Sequence, residues 1–147
     1  METGTVGYNE KKKIYSFKKA SIKQFFDIFK AALTEGDPQV LSQLFATPCF
    51  VLGDEMTRVV QSPQEVLEFF GGAKEEYNKM GITETRADIE GTDWITEKIV
   101  IVEVRWPHLD KQGKEHGSEA SSYILRLDGN GDLKIQAVVM HGVSTSH

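Results

Sequence analysis

"ALTEGDPQVLSQLF", residues 32–45, breaks an apolar helical pattern in mid-course and restarts it at once. Upstream, Ile22, Phe25, Phe26, Phe29 and Leu33 recur at spacings of three and four, one stripe of an amphipathic helix. Gly36 supplies the left-handed position that commonly follows a helix end, Asp37 offers a side-chain oxygen to cap the next helix, and Pro38 fits its first turn. The interruption therefore predicts a corner between two helices. Val40, Leu41, Leu44 and Phe45 give the second helix its apolar face as far as Pro48.

Working outward from that corner, "CFVLGDEMTRVVQ" predicts two short strands paired as a hairpin around Gly53-Asp54-Glu55. "SPQEVLEFFGGAKEEYNKMG" predicts a third helix. It opens on a capping box from Ser62 to Glu65 with Pro63 in the first turn, and carries Val66, Phe69, Phe70, Ala73, Tyr77 and Met80 on one face. Gly71 and Gly72 lie inside it and predict a kink or a close approach of another segment. From Thr83 the period changes to two, and four strands follow at about 83–92, 97–107, 118–128 and 133–142, in a meander with Trp94 in the first turn as a packed anchor.

Composition narrows the class. A chain of 147 residues supports one core, and 39% hydrophobic with 27% charged residues is ordinary for a globular domain. We expect a single domain over 17–143 behind a solvated, flexible arm over 1–16, with Lys11, Lys12, Lys13, Lys18 and Lys19 forming a local basic cluster. The net charge of −5 argues against nucleic acid as a partner. Apolar runs such as "KIVIVEV" are too short to cross a bilayer, and no signal-like hydrophobic run follows the N-terminus, so a cytoplasmic location without membrane attachment is expected. Cys49, the single cysteine, reads as a small buried hydrophobe.

The element order, the "EGDPQVLSQLF" corner, the "SPQEVLEFF" helix start and the final "SSYILRLDGNGDLKIQAVVMHG" hairpin together resemble the nuclear transport factor 2-like superfamily over residues 20–142. That superfamily includes ketosteroid isomerases and polyketide cyclase-like proteins. The resemblance implies an α+β cone: three N-terminal helices packed in a strongly curved, mixed but mainly antiparallel sheet, with a pocket between them. The ketosteroid isomerase branch is similar to this chain in outline but uses a tyrosine on the first helix and an aspartate on the first strand. Aligned on Gly36-Asp37, those places hold Phe29 and Gly53, which have no group able to donate a proton or remove one. Asp54, one residue on, serves only if the register shifts.

Alternation assigns the faces of the sheet. Val100, Val102, Val104 and Trp106 form an apolar set and are expected inside, as are Glu119, Ser121, Tyr123, Leu125 and Leu127, and Leu133, Ile135, Ala137, Val139 and His141. A turn centred on Asn130 then sets Glu119 opposite His141 and Ser121 opposite Val139, with Trp106 at the same end. A carboxylate beside an imidazole makes a general acid and base pair, and a solvated sheet rim is the plain alternative. A one-residue bulge would destroy the pairing. The candidate catalytic residues are His141, Glu119 and Asp54, and the candidate ligand contacts are Trp106, Tyr123, Ser121, Phe29 and Val104.

Other motifs are weaker. Arg58 and Asp54 read most simply as surface charges, and Asp128, Asn130 and Asp132 start like a calcium loop but lack its glycine and its terminal glutamate. His108, His116, His141 and His147 show no paired metal-ligand spacing, so no metal and no other cofactor is expected. Three functions stay open: a binder of a small, largely apolar molecule; a metal-independent cyclase, dehydratase or isomerase; and an interaction module. The third would be a homodimer joined through the outer sheet face, where Ile99, Ile101, Ile124, Val138 and Met140 are expected.

Overall fold

The computed structural model describes residues 8–144, with side chains described over 21–142. Helix α1 (Tyr8–Glu35) runs into the corner and stops there. Gly36 takes φ +71°, and its N–H bonds to the Ala32 carbonyl at 3.0 Å, closing the helix in the left-handed manner. Asp37 caps α2 (Pro38–Gln43), its Oδ1 accepting from the N–H groups of Gln39 and Val40 at 3.1 and 3.2 Å. The arm expected over 1–16 lies outside the described residues at 1–7. From Tyr8 the backbone is already helical, so α1 starts well before the Ile22 stripe.

The second helix is shorter than its apolar pattern suggests. The carbonyl of Leu44 accepts from the Ile135 N–H at 2.8 Å, so the sheet captures the chain and Phe45 opens β1 instead of closing the helix. The third helix is cut in two at Gly71-Gly72, giving α3 (Pro63–Phe70) and α4 (Ala73–Lys79). Any Cβ at Gly71 would meet the Leu67 carbonyl oxygen at 2.4 Å, which is why glycine sits at the break. Val66 and Tyr77 are buried as expected, whereas Met80 lies past the end of α4 and is 56% exposed.

Seven strands form one mixed sheet: β1 (Phe45–Gly53), β2 (Met56–Val60), β3 (Glu84–Thr85), β4 (Asp88–Trp94), β5 (Ile99–Leu109), β6 (Glu115–Leu127) and β7 (Leu133–Ser144). Along it the order is β2-β1-β7-β6-β5-β3, with β4 also on β5. The β1–β7 pairing is parallel and the others are antiparallel. The sheet curves around the helices without closing, since β2 and the β3/β4 side remain edges. The stretch expected as one strand over 83–92 is split into β3 and β4, and Trp94 ends β4, packed against the core, instead of sitting in a turn.

The interior between the helices and the sheet is filled by rings. Phe26, Phe29, Trp106 and Tyr123 pack edge to face or tilted, at centroid distances of 5.2–6.4 Å, over buried Val100, Val102 and Leu125. Each such buried side chain contributes about 1.5–3 kcal/mol through removal of apolar surface from water. Cys49 belongs to this core, and burial pushes its thiol up to about 11, which fits the packing role.

β7 is where simple alternation fails. Ile124 pairs with Ala137 but Leu125 with Ile135, so Gln136 is an extra residue; Ala120 pairs with Gly142 but Ser121 with Met140, so His141 is another. After the first slip Val138 and Met140 point inward, and Ala137 and Val139 point outward, the reverse of the expected sets. Val138 is 2% exposed. The outer face therefore presents a row across five strands, Val59, Phe50, Ala137, Ile124 and Ile101, beside Leu52 and Val139 in the next row.

Candidate functional site

A cavity of about 760 Å³ opens between α3, α4, the β1–β2 turn and the inner side of β6. Its apolar wall is Phe29, Leu33, Phe69, Phe70 and Trp106. Phe70 stacks on Phe45 at 4.6 Å and meets Phe69 edge to face at 4.7 Å, so the helix side of the wall is held by ring contacts.

One corner is polar. β5 and β6 are in register at Trp106 and Glu119, and α4 lays Tyr77 against the same place. The Tyr77 hydroxyl donates to Glu119 Oε2 at 3.3 Å, and His108 Nε2 lies 3.5 Å from that oxygen. His108 is 4% exposed, and the contact is too poorly formed to count as a hydrogen bond, so its Nε2 is a buried polar atom without a partner among the described residues. Burial, and after it the Glu119 charge, raises the Tyr77 phenol above its ordinary range, so the group remains a donor. Deeper in, Trp106 Nε1 donates to the Tyr123 hydroxyl at 2.9 Å, with Ser121 alongside. Complete burial is the first cause of the raised Tyr123 phenol.

Of the residues singled out in the sequence, Phe29, Trp106, Tyr123, Ser121, Glu119 and Asp54 line this cavity. Asp54 stands exposed in the two-residue turn between β1 and β2, at the mouth. Val104 does not line the cavity: it is 1% exposed, within the core.

The expected Glu119–His141 pair does not form. Glu119 is opposite Val143 and Ser121 opposite Met140, because the bulge at Gln136 adds one residue to β7 before Met140 and the bulge at His141 adds a second before Val143. His141 borders the mouth, but its Nε2 lies 2.7 Å from Ser122 Oγ and 3.9 Å from Glu103 Oε2, both on outward positions of the sheet. Ser122 also donates to Glu103 at 2.5 Å. The carboxylate thus engages the serine and not the far ring nitrogen, which differs from a nucleophile, base and orienting acid in sequence.

Tyr77 and His108 are the site residues that the sequence reading passed over as chemistry. His108 carried a signal, since it continues the inward parity of Val104 and Trp106 once β5 is allowed to run to Leu109. Tyr77 was placed on the buried face of its helix, but nothing local ties that position to a carboxylate 42 residues away.

At the opposite end of the cone a second hollow of about 770 Å³ lies between α1, α2, Trp94 and the β6–β7 hairpin. Among the described residues no helix is long and apolar enough to cross a membrane, and no group of His, Cys, Asp and Glu is placed to hold a metal ion.

Residues 18–143 match the family described as NTF2-like protein (DUF6841). No curated protein matches the chain in sequence. Among solved structures, the chain is similar to an NTF-2-like protein of unknown function from Shewanella oneidensis MR-1, with TM-score 0.65, 14% identity and coverage of 85% of this chain and 99% of that one. It is similar also to a nuclear transport factor 2 (NTF2-like) superfamily protein from Salmonella enterica, with TM-score 0.62, 14% identity and coverage of 90% and 96%. A ketosteroid isomerase-like protein from Erwinia carotovora atroseptica matches with TM-score 0.62, 12% identity and coverage of 83% and 93%. At these identities the likeness speaks for the fold, and it agrees with the strand order and the cone described above. The chain belongs to the DUF6841 family of NTF2-like proteins.

Proposed function

We propose that the protein binds a small, largely apolar molecule in the mouth of the cone. The carrying observation is the cavity of about 760 Å³ walled by Phe29, Phe69, Phe70 and Trp106, a size and lining suited to one small organic ligand. Glu119, Tyr77 and Ser121 fix its orientation at one end. The acid and base reading built on His141 and Glu119 loses its geometry, because the two groups serve opposite faces of the sheet.

The test is a fluorescence titration with N-phenyl-1-naphthylamine, an uncharged apolar probe. Saturable enhancement at one probe per chain, abolished in Ser121→Phe, which fills the cavity from β6, supports the reading. Equal binding by Ser121→Phe would remove it.

A second reading concerns assembly. The outward row of Phe50, Ala137, Ile124 and Ile101, with Phe50 47% and Leu52 38% exposed, is a continuous apolar strip on an otherwise hydrogen-bonded sheet. We infer that two copies pair through this face, related by a two-fold axis that sets one strip on the other. A dimeric mass by light scattering that becomes monomeric in Ile101→Glu supports it, and a monomeric native protein at micromolar concentration refutes it.

A further inference from the structure

We propose that the ligand of the cone is a cation: an apolar molecule ending in a basic nitrogen, held by Glu119. This rests on the pocket reading above and adds the charge of what enters. The first ground is the free valence of Glu119. Tyr77 and His108 both address its Oε2, at 3.3 and 3.5 Å, while Oε1 has no protein partner among the described residues. A carboxylate on the cavity wall, its side chain 40% exposed and one oxygen without a protein donor among the described residues, is an acceptor for a donor that arrives with the ligand.

The second ground is the sign of the surroundings. Asp54, Glu55 and Glu68 stand around the mouth without hydrogen-bond or ion-pair partners among the described residues, while Glu76 pairs with Lys79 at 3.5 Å. Among the described residues, no lysine or arginine lines the cavity. The nearby Arg58 lies over the Phe69 ring at 5.2 Å, itself an instance of a cation against this wall. A third observation is independent of the acidic rim. His108, with a side chain 5% exposed, leaves its Nε2 without a hydrogen-bond partner among the described residues 3.5 Å from Glu119 Oε2, so the polar corner holds a buried polar atom left unsatisfied beside the carboxylate.

Aromatic rings and a carboxylate together select an organic ammonium. The rings take the carbon frame and present negative faces to the charge, the carboxylate takes the N–H, and the acidic mouth raises the local concentration of cations. A neutral alcohol of the same shape gains the burial but little of the charge term. An anion meets repulsion from Glu119 and from the rim.

The experiment compares phenylbutylamine, phenylbutanol and phenylbutyrate by isothermal titration calorimetry on the unmodified protein. The amine is expected to bind about tenfold to a hundredfold more tightly than the alcohol, the range of a hydrogen bond to a charged group, with the carboxylate weakest. That advantage should shrink as sodium chloride is added, and it should vanish in Glu119→Gln while the affinity for the alcohol stays. Equal affinities for amine and alcohol, or an amine preference that survives Glu119→Gln, would overturn the cation proposal and leave the apolar pocket standing. Failure of all three compounds while N-phenyl-1-naphthylamine binds would also overturn it alone, whereas failure of every probe would remove the pocket reading with it. If Glu119→Gln does not fold, the order of affinities on the native protein still decides the charge of the ligand, and an amine preference unchanged in the exposed-rim variant Asp54→Asn with Glu55→Gln assigns it to Glu119, whereas its loss there overturns that assignment.

Discussion

β5 and β7 flank the same central strand, β6, yet they treat their side chains differently. From Ile99 to Trp106, β5 keeps a two-residue rhythm, with Val100, Val102, Val104 and Trp106 all at 3% exposure or less. β7 loses that rhythm twice, at Gln136 and at His141. In a strand the side-chain period is two, so one extra residue exchanges inside for outside for everything beyond it. The regular strand sets Trp106 and His108 at the pocket side, while the bulged one turns His141 out toward Ser122 and Glu103. The polar corner of the cavity is consequently built from β5, β6 and α4, while β7 gives the cavity Met140 and turns its imidazole to the outer side.

The largest test of this contrast is a pair of substitutions at neighbouring positions. Val138→Asp places a carboxylate where the side chain is 2% exposed, and it should cost more than about 4 kcal/mol and abolish the cooperative fold. Val139→Asp, one residue on, falls on the outer face and should cost less than about 1 kcal/mol in the monomer, weakening self-association instead. Urea denaturation followed by circular dichroism checks both. The opposite ranking would mean that β7 alternates without interruption, and it would return His141 to the inside.

A smaller effect sharpens the same point at the bulge. Gln136, the extra residue of the first slip, donates from Nε2 to the Pro48 carbonyl of β1 at 2.6 Å, while its Oε1 is buried without a partner. Gln136→Ala removes one hydrogen bond and one unsatisfied acceptor together, so the net loss should be no more than about 1 kcal/mol. A shift of several kcal/mol in the denaturation midpoint would show that the amide, and not the apolar set around it, holds the bulge in place.

How far the residues announced all this depends on where the information is local. The helix corner was legible because Gly36, Asp37 and Pro38 each do their work within a few residues of themselves, and the hairpin at Gly53-Asp54-Glu55 and the start of α3 at Ser62 were legible for the same reason. The cone followed from element order and resemblance. The faces of β5 and β6 were legible because alternation holds along them. The bulges in β7 were not, since a bulge is settled by whether Val138 and Met140 or Ala137 and Val139 fill the core better, a packing question across strands. The inward placement of Glu119 was legible from alternation, but its neighbours were not, because Tyr77 reaches it from a helix and His108 from the far end of β5.

The least of the expected effects concerns where β7 begins. Asp128 Oδ1 accepts from the N–H groups of Asn130 and Asp132 at 2.8 and 3.0 Å, and those bonds define the turn that starts β7 in register. They hold the Asp128 carboxyl below its ordinary range, the Asp132 N–H first and the Asn130 N–H next. A carboxyl whose folded pKa lies below its unfolded one stabilises the fold fully above the unfolded value of about 3.9, and the stabilisation is lost as pH falls through the lower folded value. Asp128→Ala should therefore melt below the native protein at neutral pH, and the gap between the two should narrow toward zero on acidification. The side chain is partly exposed and its partners are turn N–H groups, so the gap is small, and only the difference between the two melting curves isolates it from the other carboxylates. A gap that stays constant into acid would mean that the turn is held by backbone geometry at Gly131, φ +82°, and that the carboxylate takes no part in setting the register of the strand.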